Sequence, residues 1–236
     1  MKVGLLADIH GNATALRAVL TAAASLSVSR LCVVGDLVGY YYEPAECDRL
    51  LRPWVTDWVR GNHEDLLALS EGDPASASAL HAKYGSGLRV ASQELSADTR
   101  KRMTAWPTTA TVWLGERRVR LCHGAPWATD EYVYPDAPWS TWERMAADGE
   151  DLVVFGHTHY RVERQVGRTR IVNPGSVGQA RDGSGGACWA VFDAETNTCE
   201  LRVEHYDREE VVREARLRDP HLPYLVDVLY REAARP

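Results

Sequence analysis

The chain has 236 residues, with 27 basic against 33 acidic side chains for a formal charge of −6, and is 45% hydrophobic and 25% charged. Those proportions describe a globular protein with one substantial core, and without a basic block they do not suit a protein that holds nucleic-acid polymers by neutralising phosphates. No apolar run approaches the roughly 18 to 20 residues that span a bilayer, and the start MKVGLLADIHGN does not read as a leader, so a protein without a membrane partner is expected.

Five short Val- and Leu-rich runs read as buried strands: Lys2 to Ala7, Arg30 to Gly35, Thr56 to Gly61, Val119 to Cys122 and Leu152 to Gly156. Helical spacing over Thr14 to Leu26 and a Glu43-Pro44 start before Leu51 place helices between the early strands, which implies parallel pairing. Later in the chain, 111–121, 162–172 and 187–206 each read as two extended runs about a short turn, that is, as hairpins. The sum is an α/β chain with two mixed sheets face to face and helices outside, one domain over 1–236. The mixed charge of Asp207 to Arg218 reads as a solvated helix face. Five well-separated cysteines without a CxxC pair suit a reducing cytoplasm.

The residues just past the end of each strand carry the chemistry. Asp8 and His10 come after the first, Asp36 after the second, Asn62 and His63 after the third, His123 after the fourth, and His157 and His159 after the fifth. Loops at the carboxyl ends of strands in an open α/β sheet converge on one crevice. The pairs Asp8/His10 and His157/His159, two apart in extended backbone, would each turn to one side. Seven ligands are too many for one tetrahedral ion and fit two ions sharing the Asp36 carboxylate. The imidazole and carboxylate set suits manganese, with iron or zinc as alternatives.

The blocks DIH at Asp8, GDLV at Gly35, GNHE at Gly61, HG at His123 and GHTH at Gly156 resemble the signature of the calcineurin-like metallophosphoesterases. GYYYEPAEC (Gly39 to Cys47) and NPGSVGQARDG (Asn173 to Gly183) resemble a small bacterial and archaeal phosphodiesterase-like subgroup. The resemblance implies a four-layer αββα sandwich, with Asp8, His10, Asp36 and His159 on one divalent ion and Asp36, Asn62, His123 and His157 on the other. It further implies hydrolysis of small-molecule or nucleotide phosphodiesters by water that the two ions activate between them. His63, next to a ligand, is placed to protonate the leaving oxygen. A phosphomonoesterase or protein phosphatase, a dinucleoside polyphosphate hydrolase, and a non-catalytic scaffold of the same fold are the alternatives.

The family's phosphoprotein branch continues its second block with an Asp and an Arg, whereas GDLV here runs into Gly39 and Tyr40. His63 must then be oriented by another group, such as Glu64 or a backbone carbonyl. Asn12 reads equally as a phosphate contact or a helix cap, and Arg181 as a phosphate contact or a solvated loop residue. Trp127, Tyr132, Tyr134, Trp139 and Trp142 offer a substrate wall, with loop packing the commoner use of such rings. His81, His205 and His221 read as isolated histidines.

Overall fold

The computed structural model describes residues 1–231. In chain order the elements are β1 (Lys2–Leu6), α1 (Ala13–Ser25), β2 (Arg30–Val34), α2 (Pro44–Leu51), β3 (Thr56–Val59), α3 (Asn62–Gly72), α4 (Pro74–Tyr84), α5 (Gly87–Glu94) and α6 (Ala97–Thr104). Next come β4 (Thr109–Leu114), β5 (Arg117–Cys122), α7 (Trp139–Met145), β6 (Leu152–Val154), β7 (Val162–Val166), β8 (Thr169–Asn173), β9 (Ala187–Asp193), β10 (Thr198–Glu204), α8 (Glu209–Arg218) and α9 (Tyr224–Asp227), with a final 3₁₀ turn at Val228–Tyr230.

The strands form two five-stranded sheets, ordered β10-β9-β1-β2-β3 and β4-β5-β6-β8-β7. Each contains three adjacent parallel strands: β1, β2 and β3, running out to the β3 edge, in one, and β5, β6 and β8, at the centre, in the other. Each is completed by antiparallel hairpin strands, β9 and β10 or β4 and β7. The three hairpins expected from the sequence are present at β4-β5, β7-β8 and β9-β10.

Strand alternation explains the layers. In β1 and β2, Leu5, Cys32 and Val34 face inward and meet Val119, Leu121, Leu152, Val154 and Val172 of the second sheet. Their neighbours Leu6, Leu31 and Val33 face outward and are covered by Leu16, Val19, Leu20 and Ala23 of α1. Behind the second sheet, Val153, Phe155 and Ile171 are covered by Trp142 and Met145 of α7. Strands buried on both faces must be apolar at nearly every position, which is why they read as continuous runs rather than as alternating ones. The result is the αββα sandwich.

Helices α3 to α6 fill a stretch for which the sequence offered no assignment. Asp73 caps α4 by accepting from the amides of Ala75 (3.2 Å) and Ser76 (2.9 Å), and Ser96 caps α6 by accepting from Thr99 (3.1 Å). No residue of α4 is buried, so it has no apolar stripe to read. Helix α8 lies where a solvated face was expected, yet Val211, Val212 and Ala215 pack on Tyr40, Tyr41 and Tyr42. Among the described residues no helix is long and apolar enough to cross a membrane.

Candidate metal centre

The loops after β1, β2, β3, β5 and β6 meet at one end of the sandwich and are knitted to one another through the backbone. The amides of Asp8, His10 and Gly11 donate to the carbonyls of Gly35 (3.2 Å), Asp36 (2.9 Å) and Leu37 (2.8 Å), and that of Gly156 to His123 (2.7 Å). The extended geometry expected for the Asp8/His10 and His157/His159 pairs is not what forms. Asp8, His10, Asp36, His157 and His159 all have φ between 51 and 68°. These left-handed turns aim the side chains across the sheet ends, where a straight strand would carry them past one another.

Seven expected ligands converge in two groups. In the first, His10 Nε2 lies 3.1 Å from His159 Nε2 and 3.7 Å from Asp36 Oδ2, while His159 Nε2 lies 3.6 Å from Asp8 Oδ1. In the second, His123 Nε2 lies 3.1 Å from Asn62 Oδ1, 3.2 Å from His157 Nδ1 and 3.3 Å from Asp36 Oδ2. The Asp36 carboxylate touches both groups. Its Oδ1 also accepts from the His63 amide at 2.8 Å, which fixes its rotamer.

The donor set fits divalent ions on its own chemistry. His10, His123 and His159 each point Nδ1 at a backbone carbonyl, that of Val38 (3.0 Å), Val34 (2.7 Å) and Gln179 (2.7 Å) respectively. Those contacts put a ring proton on Nδ1 and, in the neutral rings of His10 and His159, leave Nε2 as a bare lone pair, while His123 Nε2 must give up its proton to a metal. Lone pairs and carboxylate oxygens crowded at 3 to 4 Å repel unless a cation lies among them. Burial holds His10 and His159 well below the ordinary imidazole value, and burial with the neighbouring His123 brings His157 down to about 4, so all three are neutral donors. Burial pushes the Asp8 carboxyl up to about 8. At Asp36 burial acts the same way but is outweighed by His123 and His63, which keep the carboxyl low, and at His123 burial is outweighed by Asp36, which lifts the ring to about 10.

His63 lies beside this cluster, 3% exposed, with its ring centroid 4.8 Å from His10, 4.9 Å from Tyr40 and 5.1 Å from Tyr84. Its Nδ1 is buried against Gly39 without a hydrogen-bond partner among the described residues. Packing therefore sets its orientation. Glu64 is turned away from it: fully buried, its carboxylate accepts from the amides of Gly61 (2.7 Å), Leu37 (2.8 Å) and Asp36 (3.0 Å), tying the loop after β2 to the start of α3. Gly61 has to be glycine, because a Cβ there would sit 2.1 Å from Asp36 Oδ1.

Of the two expectations for Asn12, the structure places the cap. Its Oδ1 accepts from Ala15 (3.1 Å), its Nδ2 donates to the Gly178 carbonyl (2.9 Å) and the Tyr206 hydroxyl (3.2 Å), and the residue is fully buried, which leaves nothing for a substrate. Arg181 faces the cluster, donating to the Tyr40 hydroxyl (3.1 Å) and Gln179 Oε1 (2.9 Å). The aromatic segment divides. Trp142 is core, whereas Tyr132 and Tyr134 are 54% and 40% exposed, with Tyr132 centred 4.1 Å from the His157 ring. Tyr84, which no motif singles out, closes the opposite side beyond His63.

A family model for the calcineurin-like phosphoesterase superfamily domain matches residues 1–197. An uncharacterized protein of Methanocaldococcus jannaschii is 26% identical over 224 residues, covering 87% of this chain and 88% of its own length. Among solved structures, a hypothetical protein from Pyrococcus horikoshii superposes with a TM-score of 0.84 at 23% identity over 99% of both chains. A metallophosphoesterase from Sphaerobacter thermophilus does so with 0.77 at 26% identity, over 98% of this chain and 99% of its own.

Proposed function

Because the chain belongs to the calcineurin-like phosphoesterase superfamily, we propose that it is a dinuclear metal-dependent phosphodiesterase acting on small-molecule or nucleotide diesters. Asp8, His10, Asp36 and His159 would hold one divalent ion, and Asp36, Asn62, His123 and His157 the other. Manganese is the expected ion, with iron or zinc as alternatives. Two such ions supply positive charge to the phosphoryl oxygens and acidify water at neutral pH. The observation that carries the reading is Asp36 Oδ2 standing between the two groups, 3.7 Å from His10 Nε2 and 3.3 Å from His123 Nε2.

The chain's own groups do the rest. Burial holds His63 below the ordinary histidine value, and an anionic phosphate beside the ring raises it again. The imidazolium formed there passes one ring proton to the leaving oxygen and reverts to the neutral ring. Arg181, braced by Tyr40 and Gln179, pairs with a non-bridging phosphate oxygen. Tyr132 and Tyr134 flank the leaving group on the His157 side.

Hydrolysis of bis-p-nitrophenyl phosphate beside p-nitrophenyl phosphate, with manganese and with a chelator, tests this. Chelator-sensitive turnover that favours the diester is the expected result. Preference for the monoester would replace the reading with a phosphatase, and silence on both after reloading with manganese, iron and zinc would replace it with a scaffold.

A further inference from the structure

Asp219, at the C-terminal end of α8, is 1% exposed, and its two oxygens are treated very differently. Oδ2 accepts from the Tyr42 hydroxyl (2.8 Å) and from the amide (2.9 Å) and hydroxyl (2.8 Å) of Ser86. Oδ1 is buried with no hydrogen-bond partner among the described residues. A carboxylate oxygen stranded in this way is costly unless something positive meets it. Two imidazoles lie close to the Asp219 carboxylate: His81 of α4, whose Nδ1 is also buried without a hydrogen-bond partner among the described residues, and His221, two residues past Asp219. The two rings are centred 5.5 Å apart at 52°, and one donor atom from each of the three residues lies within 4.8 Å of the others. The histidines that looked isolated in sequence, 140 positions apart, are neighbours.

We propose that His81, Asp219 and His221 form a further metal site, separate from the phosphoesterase centre, which takes a divalent ion of the zinc type. Two imidazoles and one carboxylate are a borderline-soft set, and three protein ligands leave a fourth position for water. The ion clasps the segment that begins at Asp219 to α4. It does so behind the catalytic wall, since Ser86 and Tyr42 hang from the same carboxylate and Tyr84, three residues beyond His81, packs on His63.

The test is a zinc titration of the chelator-stripped full chain, read as bound equivalents by elemental analysis and as the shift in melting temperature. His221→Ala is the main variant, because that side chain is exposed and its loss does not disturb packing; His81→Ala accompanies it, and His205→Ala is the control. Both site variants should bind one equivalent fewer than the wild type and lose part of its zinc-induced thermal shift, while His205→Ala matches the wild type. The proposal fails if His221→Ala binds as many equivalents as the wild type, or if His205→Ala loses as many.

Discussion

Replacing Gly39 by alanine isolates the part of the site that positions a proton from the part that holds metal. Gly39 has φ +92°, and a Cβ there would lie 2.0 Å from His63 Nδ1 and 2.9 Å from Cε1. Ordinary contact needs about 3.5 Å, so the imidazole must retreat by roughly 1.5 Å. Misplacement of a reacting group by about 1 Å costs on the order of 100-fold in rate. The left-handed backbone adds about 1 to 2 kcal/mol of strain to a non-glycine residue, which lowers stability without unfolding a domain of ordinary stability. The three atoms nearest the new methyl all belong to His63 and none to the seven proposed metal donors. The expected outcome is unchanged metal content, a fall of about 100-fold in kcat for a diester with an alkoxide leaving group, and a much smaller fall for p-nitrophenolate, which leaves without a proton. His63→Ala should give the same pattern. Full turnover of the alkyl diester by Gly39→Ala would show that packing against Gly39 does not position the acid.

Glu64→Gln should lose about 2 to 3 kcal/mol in urea unfolding, because the amide NH₂ confronts backbone N–H donors that the carboxylate accepted; burial, which pushes the acid up to about 7, offsets part of that loss. A change below about 1 kcal/mol would mean the three hydrogen bonds do not tie the loops together. Metal loading should release protons near neutral pH, since Asp8 at about 8 and His123 at about 10 both hold theirs in the metal-free protein; affinity then rises with pH from about 6 to about 8. Calorimetry in buffers of different ionisation enthalpy measures this, and a pH-independent affinity would contradict it. Tyr132→Ala should raise KM for aryl or nucleotide diesters by roughly fivefold to tenfold, the value of one stacking contact, and leave that for small alkyl diesters alone. Equal effects on both classes would remove Tyr132 from the leaving-group side.

The layers were legible because strands buried on both faces cannot hide their composition, and the convergence of the candidate ligands because five strands end in residue types that core packing does not ask for. What escaped was set by partners distant in sequence. Glu64 answers to amides 27 and 28 positions away, so proximity to His63 suggested the wrong neighbour for it. His81 and His221 carry no local sign that Asp219 stands between them. Helices α3 to α6 escaped for a different reason: α4 buries no residue, and the others turn only one short row each to the core, through residues such as Leu67, Leu88, Ala91 and Met103, too few in eight to eleven positions to set a period.

The left-handed backbone at Asp8, His10, Asp36, His157 and His159 gives these positions a double constraint. Asp, Asn and His are the side-chain-bearing residues that tolerate that conformation best, and they are also residue types that can ligate divalent metals. The same letter thus meets a demand of the backbone and a demand of coordination chemistry. A chemically conservative exchange such as Asp8→Glu, which preserves the carboxylate, still puts a longer and less tolerant side chain on a turn that only a small set of residues can occupy. The set of residues these five positions can accept is therefore narrower than the proposed ligand role alone would require.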